Sequence, residues 1–273
     1  QKSLNGNSGF RVIAEEGHPI NDIQMYDYKY DDQGNKVVAG NGLYQLDDEL
    51  KTVGNANPKF LGGFTTDLNY KGLSLYLGFD YKFGGTIFSY SNYYLTGNGV
   101  TKNTLKYRDE SNGGMAYYIN DQNQKVGWQH NQEAPAESAD GHVYHDGLIL
   151  DGVKEVSENG TTTFMENDII ISATEYYSSY INDLSTSWPP DRLFKNDYIK
   201  LREVALSYTL PTSFTSKIKV QRMTLSLAAR NLFYLHKTIP NVDVESSLGI
   251  DSYIENSFYP AVRTFSLGLN VSF

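Results

Sequence analysis

A chain of 273 residues leaves room for one large all-β domain or two ordinary domains. Its 23 Lys and Arg against 32 Asp and Glu give a net charge of −9, which excludes the basic face that a nucleic-acid binder needs. With no cysteine there is no disulfide framework and no thiolate chemistry, and no run of about 18 apolar residues offers a transmembrane helix.

The 22 Tyr, 13 Phe and 24 Gly suit a β architecture. A mean hydropathy of −0.46 does not exclude a membrane barrel, because half of each barrel strand is polar. The first residues, Gln1-Lys-Ser-Leu-Asn-Gly-Asn, lack the apolar stretch of a signal peptide and read as a mature or cleaved end, or a fragment.

In chain order, Phe10–Ile20 forms a strand that ends at Gly17 and Pro19. Ile23–Tyr30 is a second candidate. The turn clusters 31–35 and 40–42 follow, and a loop runs to Gly54-Asn-Ala-Asn-Pro-Lys59. The clearest hairpin is next. Phe60, Phe64, Leu68 and Tyr70 share one face of its first arm, Lys71-Gly72 makes the turn, and 73–83 alternates without a break. Leu73, Leu75, Leu77, Phe79, Tyr81 and Phe83 take one side of that second arm; Ser74, Tyr76, Gly78, Asp80 and Lys82 take the other. Eleven residues match the roughly 9–11 of a membrane-spanning strand better than the roughly 5–6 of an ordinary one.

After Gly84-Gly85 the pattern dissolves for about eighty residues. Val153–Glu158 and Thr161–Met165 read as a hairpin about Asn159-Gly160, Thr174–Asp183 as a helical turn or loop, and Trp188-Pro-Pro-Asp191 as a rigid turn. Residues 109–168 carry twelve Asp and Glu against two Lys, so the acidity belongs to this insertion and the remainder is near neutral. Alternation returns over 197–209, with Val204, Leu206 and Tyr208 on one face and Glu203, Ala205, Ser207 and Thr209 on the other. A turn to Lys219 precedes a strand over 223–230, which Asn231 ends. The last strand sets Phe265, Leu267, Leu269, Val271 and Phe273 against Ser266, Gly268, Asn270 and Ser272.

The connections near 71–72 and 210–220 are short; those at 31–59, 84–196 and 233–257 are long. Such alternation is the asymmetry of an outer-membrane barrel, with short periplasmic turns and long extracellular loops, and it puts the C-terminus on the periplasmic side.

The segments Asn196-Asp-Tyr-Ile-Lys-Leu-Arg-Glu-Val-Ala-Leu-Ser-Tyr-Thr-Leu-Pro211, Leu227-Ala-Ala-Arg-Asn-Leu-Phe233 and Tyr259–Phe273 resemble the C-terminal part of SusC/RagA-type TonB-dependent outer-membrane transporters. Gly54–Phe64, Tyr70-Lys-Gly-Leu73 and Phe83-Gly-Gly85 fit the same family in the same order. The resemblance implies an all-β chain, an antiparallel segment of a 22-stranded transmembrane barrel with long extracellular loops. Residues 1–273 would supply its C-terminal portion, without the plug domain and TonB box. It further implies import of oligosaccharides or peptides powered through TonB, a SusD-like surface lipoprotein as partner, the remaining plug and barrel strands, and lipid and lipopolysaccharide around them. A complete small barrel acting as adhesin or anchor, or a soluble carbohydrate-binding β-sandwich, are the alternatives.

On this scheme Asp80, Lys82, Glu203 and Arg230 fall on the lumen face, where they line the substrate path or pair with one another. Trp128, Tyr176, Tyr177 and Trp188 are candidates for stacking on a substrate or partner, against ordinary loop packing. Phe273 resembles the terminal aromatic that barrel-assembly machinery recognises. His142, His145 and Asp146 are the nearest approach to a metal site, but an i, i+3 His pair on a strand faces opposite ways, so no metal is expected. Asp31, Asp32 and Asn35 make a poor calcium loop and read as a solvated turn. Neither a phosphate loop, a nucleophile signature nor an acid/base pair stands out, so neither enzyme chemistry nor a cofactor is expected.

Overall fold

The computed structural model describes residues 2–7, 10–129, 132–158, 160–182, 192–245, 253–256, 259 and 261–273. In chain order its strands are β1 (Lys2–Asn7), β2 (Phe10–Ala14), β3 (Asp22–Tyr28), β4 (Val37–Val38), β5 (Leu46–Asn55), β6 (Phe60–Tyr70), β7 (Leu73–Phe83) and β8 (Thr86–Ser89). Helix α1 (Tyr90–Gly97) leads to β9 (Met115–Ile119), β10 (Lys125–Gly127), β11 (Tyr144–Leu148), β12 (Val153–Glu158), β13 (Thr161–Glu166) and β14 (Ile171–Ser172). Helix α2 (Ala173–Asn182) precedes β15 (Leu193–Lys195), β16 (Tyr198–Thr209), β17 (Arg222–Lys237), β18 (Ile254–Glu255) and β19 (Thr264–Ser272). Two compact units result, one from 1–54 with 90–192 and one from 55–89 with 193–273.

The first unit holds the sheets β1-β2-β3-β5, β10-β9-β11-β14 and β13-β12-β4. Val38, Leu148, Leu150, Ile171, Ala173 and Tyr177 are buried together. The expected loop over 46–54 is therefore a strand: its side chains do not alternate, and pairing with β3 determines it. Likewise the stretch after Gly85 is not patternless structure. Strands of two to six residues are too short to show a period, and they are ordered by cross-strand partners. The hairpin of β12 and β13 forms in the expected register, Glu158 opposite Thr161; Asn159 lies outside the described residues. Helix α2 starts at a capping box. Ser172 Oγ accepts from the Glu175 N–H (3.0 Å) and Glu175 Oε2 accepts from the Ser172 N–H (2.7 Å).

The second unit is built on a five-stranded antiparallel sheet in the order β19-β17-β16-β7-β6. The hairpin of β6 and β7 matches its expected bounds. Lys71 (φ 46°) and Gly72 (φ 84°) both lie in the left-handed region, as a two-residue hairpin turn requires. A Cβ on Gly72 would also meet the Thr209 carbonyl oxygen at 2.7 Å. Strand β17 does not end at Asn231 but continues to Lys237. Asn231 takes φ 54° and absorbs the register shift opposite Arg202, where β16 carries one residue more than β7.

Register then sorts the side chains. Leu68, Leu75, Leu206, Leu227 and Leu267 stand side by side across all five strands. Flanking rows are Thr66, Leu77, Val204, Ala229 and Phe265 on one side, and Tyr70, Leu73, Tyr208, Leu225 and Leu269 on the other. The opposite face is small and polar: Asn69, Ser74, Ser207, Ser226 and Gly268 form one row, and a Cβ on Gly268 would meet Ser226 Oγ at 2.5 Å. A slip of one residue in any strand would turn a row inside out. The apolar face is uncovered: Leu227 is 52% exposed, Leu267 76% and Phe265 70%. A dozen such side chains expose on the order of 1,000 Å², beyond the roughly 300–600 Å² patch of an ordinary soluble monomer.

One end of this sheet carries the 71–72 turn, the 210–221 turn with its short helix α3 (Thr212–Thr215), and Phe273. The other end carries the long connections. There β15, β8 and β18 form a small sheet, and Ile87, Tyr198, Ile239 and Val244 pack into a buried cluster that anchors residues 238–245.

Candidate functional site

The polar face is sparsely charged except toward the end of the long connections. There the bulge at Arg202 changes the parity of β16, so Lys200, Arg202 and Glu203 all reach the same side. Asp80 accepts from Arg202 Nε at 2.5 Å. Arg202 Nη1 donates to Asn231 Oδ1 (2.8 Å) and Glu245 Oε2 (3.0 Å), and its Nη2 donates to Glu245 Oε1. Lys200 Nζ also pairs with Glu245 Oε2 and lies 4.8 Å from the Tyr234 ring centre. The Lys200 side chain is 2% exposed, that of Glu245 21%. Next to it Asp243 accepts from the Tyr234 hydroxyl and from the N–H groups of Ala261 (2.9 Å) and Glu245 (3.1 Å).

Burial works to raise the Glu245 carboxyl. The hydrogen bonds from Arg202 and Lys200 outweigh it and hold the group below the usual glutamate value. Asp243 follows the same pattern: burial opposes ionisation, and the Tyr234 hydroxyl with two backbone N–H groups prevails. Beside this cluster lies an open recess of about 380 Å³ lined by Lys200, Tyr234, Lys237, Asp243 and Arg263 among others.

Of the four residues expected on the lumen face, Asp80 joins this cluster. Glu203 and Arg230 are register partners and pair at 3.1 Å. Lys82 stands on the same face opposite Tyr198, half-buried, with no ion pair among the described residues. Sequence reading missed Lys200, Arg202 and Glu245. The adjacent charges in an otherwise apolar strand were the visible sign of a bulge; Glu245, 43 residues from Arg202, gave no sign.

The aromatic candidates belong to the first unit. Trp128 is half-buried, donates from Nε1 to the Glu133 carbonyl (3.2 Å) and meets the Tyr118 ring edge-on at 5.4 Å. Tyr177 is 7% exposed, and its hydroxyl donates to the carbonyls of Asn103 (3.0 Å) and Lys106 (3.2 Å). Burial pushes that phenol up to about 12. It also lines a recess of about 330 Å³ with Arg108, Asp146 and Thr174. Tyr176 packs edge-on against Tyr177 at 5.1 Å and stays partly exposed. Trp188 lies outside the described residues. Phe273 is 85% exposed.

His145 Nδ1 lies 2.5 Å from Glu110 Oε1, and Asp146 accepts from the Tyr117 hydroxyl (3.2 Å). Among the described residues no three His, Asp or Glu converge on a metal position. The Asp31 carboxylate accepts from the side-chain amide of Asn35 (2.9 Å) and from the N–H groups of Asn35 and Gln33, which lowers its pKa and closes the turn.

No family model matches the chain. TonB-dependent receptor P3 of Formosa agariphila is 24% identical over 289 aligned residues, which cover 96% of this chain and 23% of that protein. Structures of the RagAB peptide importer in its open-open state (17% identical, TM-score 0.47) and of the RagAB peptide transporter (16%, 0.49) each cover 99% of this chain and 24% of theirs. The chain thus spans about a quarter of the length of the proteins it matches. Its likeness to a TonB-dependent receptor along nearly its whole length bears out the resemblance carried by 54–64, 196–211, 227–233 and 259–273.

Proposed function

We propose that this chain is a C-terminal portion of the barrel wall of a TonB-dependent outer-membrane importer. The observation that carries the reading is the register of the five-stranded sheet, which gathers leucine and aromatic side chains on one uncovered face and small polar ones on the other. Lipid satisfies the first face and a watery lumen the second. An eleven-residue strand rises about 36 Å, which spans the apolar band of about 25 Å at a tilt near 45°. The sheet leaves the outer edges of β6 and β19 for neighbours in a wider, 22-stranded wall.

On this reading the short turns and Phe273 face the periplasm, and the long connections face outward. The acidic first unit, with Trp128 and Tyr176, meets the solute or a SusD-like lipoprotein. Asp80, Lys82, Glu203 and Arg230 line the lumen. The imported solutes are oligosaccharides or peptides, and energy comes through TonB from the inner-membrane proton gradient. The test is twofold. The protein should leave the outer membrane only with detergent, and uptake should stop when TonB is deleted; release into the soluble fraction without detergent overturns the proposal.

A further inference from the structure

We propose that Lys200 and Arg202 form a binding site for a carboxylate group on the polar face of the sheet, and that Glu245 fills it when no ligand is present. The Arg202 guanidinium presents its two terminal nitrogens as a fork to the two oxygens of Glu245, the geometry by which Arg recognises a carboxylate. Asp80 and Asn231 hold that fork from its other sides, so its aim does not depend on the occupant.

Lys200 makes the site obligate. Its ammonium is buried, and beyond Glu245 its described neighbours are the face of Tyr234, a weak substitute for an anion, and Asp243, which is already engaged by the Tyr234 hydroxyl and two backbone N–H groups. An occupant that leaves must be replaced by another negative group. With Glu245 withdrawn, Asp80 on Arg202 and Asp243 near Lys200 each answer one cation, and Lys237 and Arg263 at the recess supply the positive excess that suits a monocarboxylate.

Glu245 is placed to exchange. Its backbone segment is anchored independently by buried Ile239 and Val244 and by Asp243, so the side chain can swing while the segment stays packed. The adjoining recess of about 380 Å³, lined by Lys200, Lys237 and Arg263, has room for one sugar ring or two small residues behind the carboxylate. A sugar acid and a peptide C-terminus present the same group. The inference rests on the importer reading only in bringing such solutes to this face.

The test is calorimetric titration of the detergent-purified full-length protein with glucuronate against glucose, and with N-acetyl-dialanine against its amide. Glu245→Gln removes the internal competitor. If Glu245 holds the site more than about nine-tenths of the time, the variant binds the acids at least about tenfold tighter than wild type. The neutral partners gain nothing, and adding Arg202→Gln abolishes the gain. Either acid alone, or both, supports the site and names its source. Acid and neutral forms bound alike, or acids bound no tighter than by wild type, overturn it. Should Glu245→Gln not assemble, wild type at millimolar acid must show a preference over the neutral form that Arg202→Gln lacks; no preference overturns the proposal. Binding needs no transport, so binding without import faults the importer reading, and import without binding faults this one.

Discussion

Leu227 sits in the third of five apolar rows on the uncovered face, between Leu206 and Leu267; Phe64, Phe79, Leu201 and Phe233 form a row beyond that of Thr66, and Met223 and Val271 one beyond that of Tyr70. Rows lie about 6.7 Å apart along the strands, so five span about 27 Å of strand, or about 19 Å of depth at a tilt near 45°, and the middle one lies near the midplane of the apolar band. Arginine at the midplane of a barrel's lipid face costs about 2–4 kcal/mol, and near the interfaces about 0–1 kcal/mol. Leu227→Arg should therefore lower the folded-to-unfolded ratio by about 30-fold to about 1,000-fold. Val271→Arg, two rows nearer the turn end, should cost under about 1 kcal/mol. Ser266→Arg, next to Leu267 but on the polar face, should cost about as little. The assay is denaturant titration of the full-length protein folding into lipid vesicles. Equal costs at Leu227 and Ser266 would refute the assignment of faces, and equal costs at Leu227 and Val271 would refute the depth.

Glu245→Ala should destabilise the protein by about 3 kcal/mol, the low end for a broken buried pair because Arg202 is a third exposed. The folded carboxyl titrates below its unfolded value, so this stabilisation is complete above the usual glutamate range and is lost as pH falls through the folded value. The denaturation midpoints of wild type and Glu245→Gln should accordingly converge only as pH falls below the usual glutamate range. Gly72→Ala should cost about 1–2 kcal/mol, from a left-handed alanine and its approach to the Thr209 carbonyl; an unchanged midpoint would contradict the turn geometry. Phe273→Asp should reduce the amount of barrel assembled in cells while changing vesicle stability by less than about 0.5 kcal/mol, since Phe273 packs against little. Tyr177→Phe should cost about 1–2 kcal/mol by orphaning the Lys106 carbonyl, while the Asn103 carbonyl keeps the Lys106 N–H at 3.3 Å, read as faster proteolysis of the first unit.

The hairpin 60–83 was legible residue for residue because an unbroken period of two met a two-residue turn, and both signals are local. The faces of 203–209 and 264–272 followed for the same reason. What stayed hidden depends on partners distant in sequence. Strand 46–55 has no period and is held by β3; β9, β10 and β11 are too short to show one. Asn231 read as a strand end because asparagine favours turns, whereas its left-handed backbone here serves a bulge inside a sixteen-residue strand. That bulge, and not any motif, brings Lys200 and Arg202 to the face of Asp80. The charged site was only partly legible: Asp80 was placed on its face, whereas Lys200, Arg202 and the loop carboxylate of Glu245 were not.

The claim on which the account stands is that the row of leucines meets lipid and the opposite row meets water. Spin labels placed singly along 264–272 of the full-length protein in bilayers measure this directly, through collision with oxygen dissolved in lipid and with a water-soluble nickel chelate. Labels at Phe265, Leu267 and Leu269 should favour oxygen, and labels at Ser266, Asn270 and Ser272 the nickel chelate, with a period of two. Accessibility that does not alternate, or that favours nickel at Leu267, would contradict it.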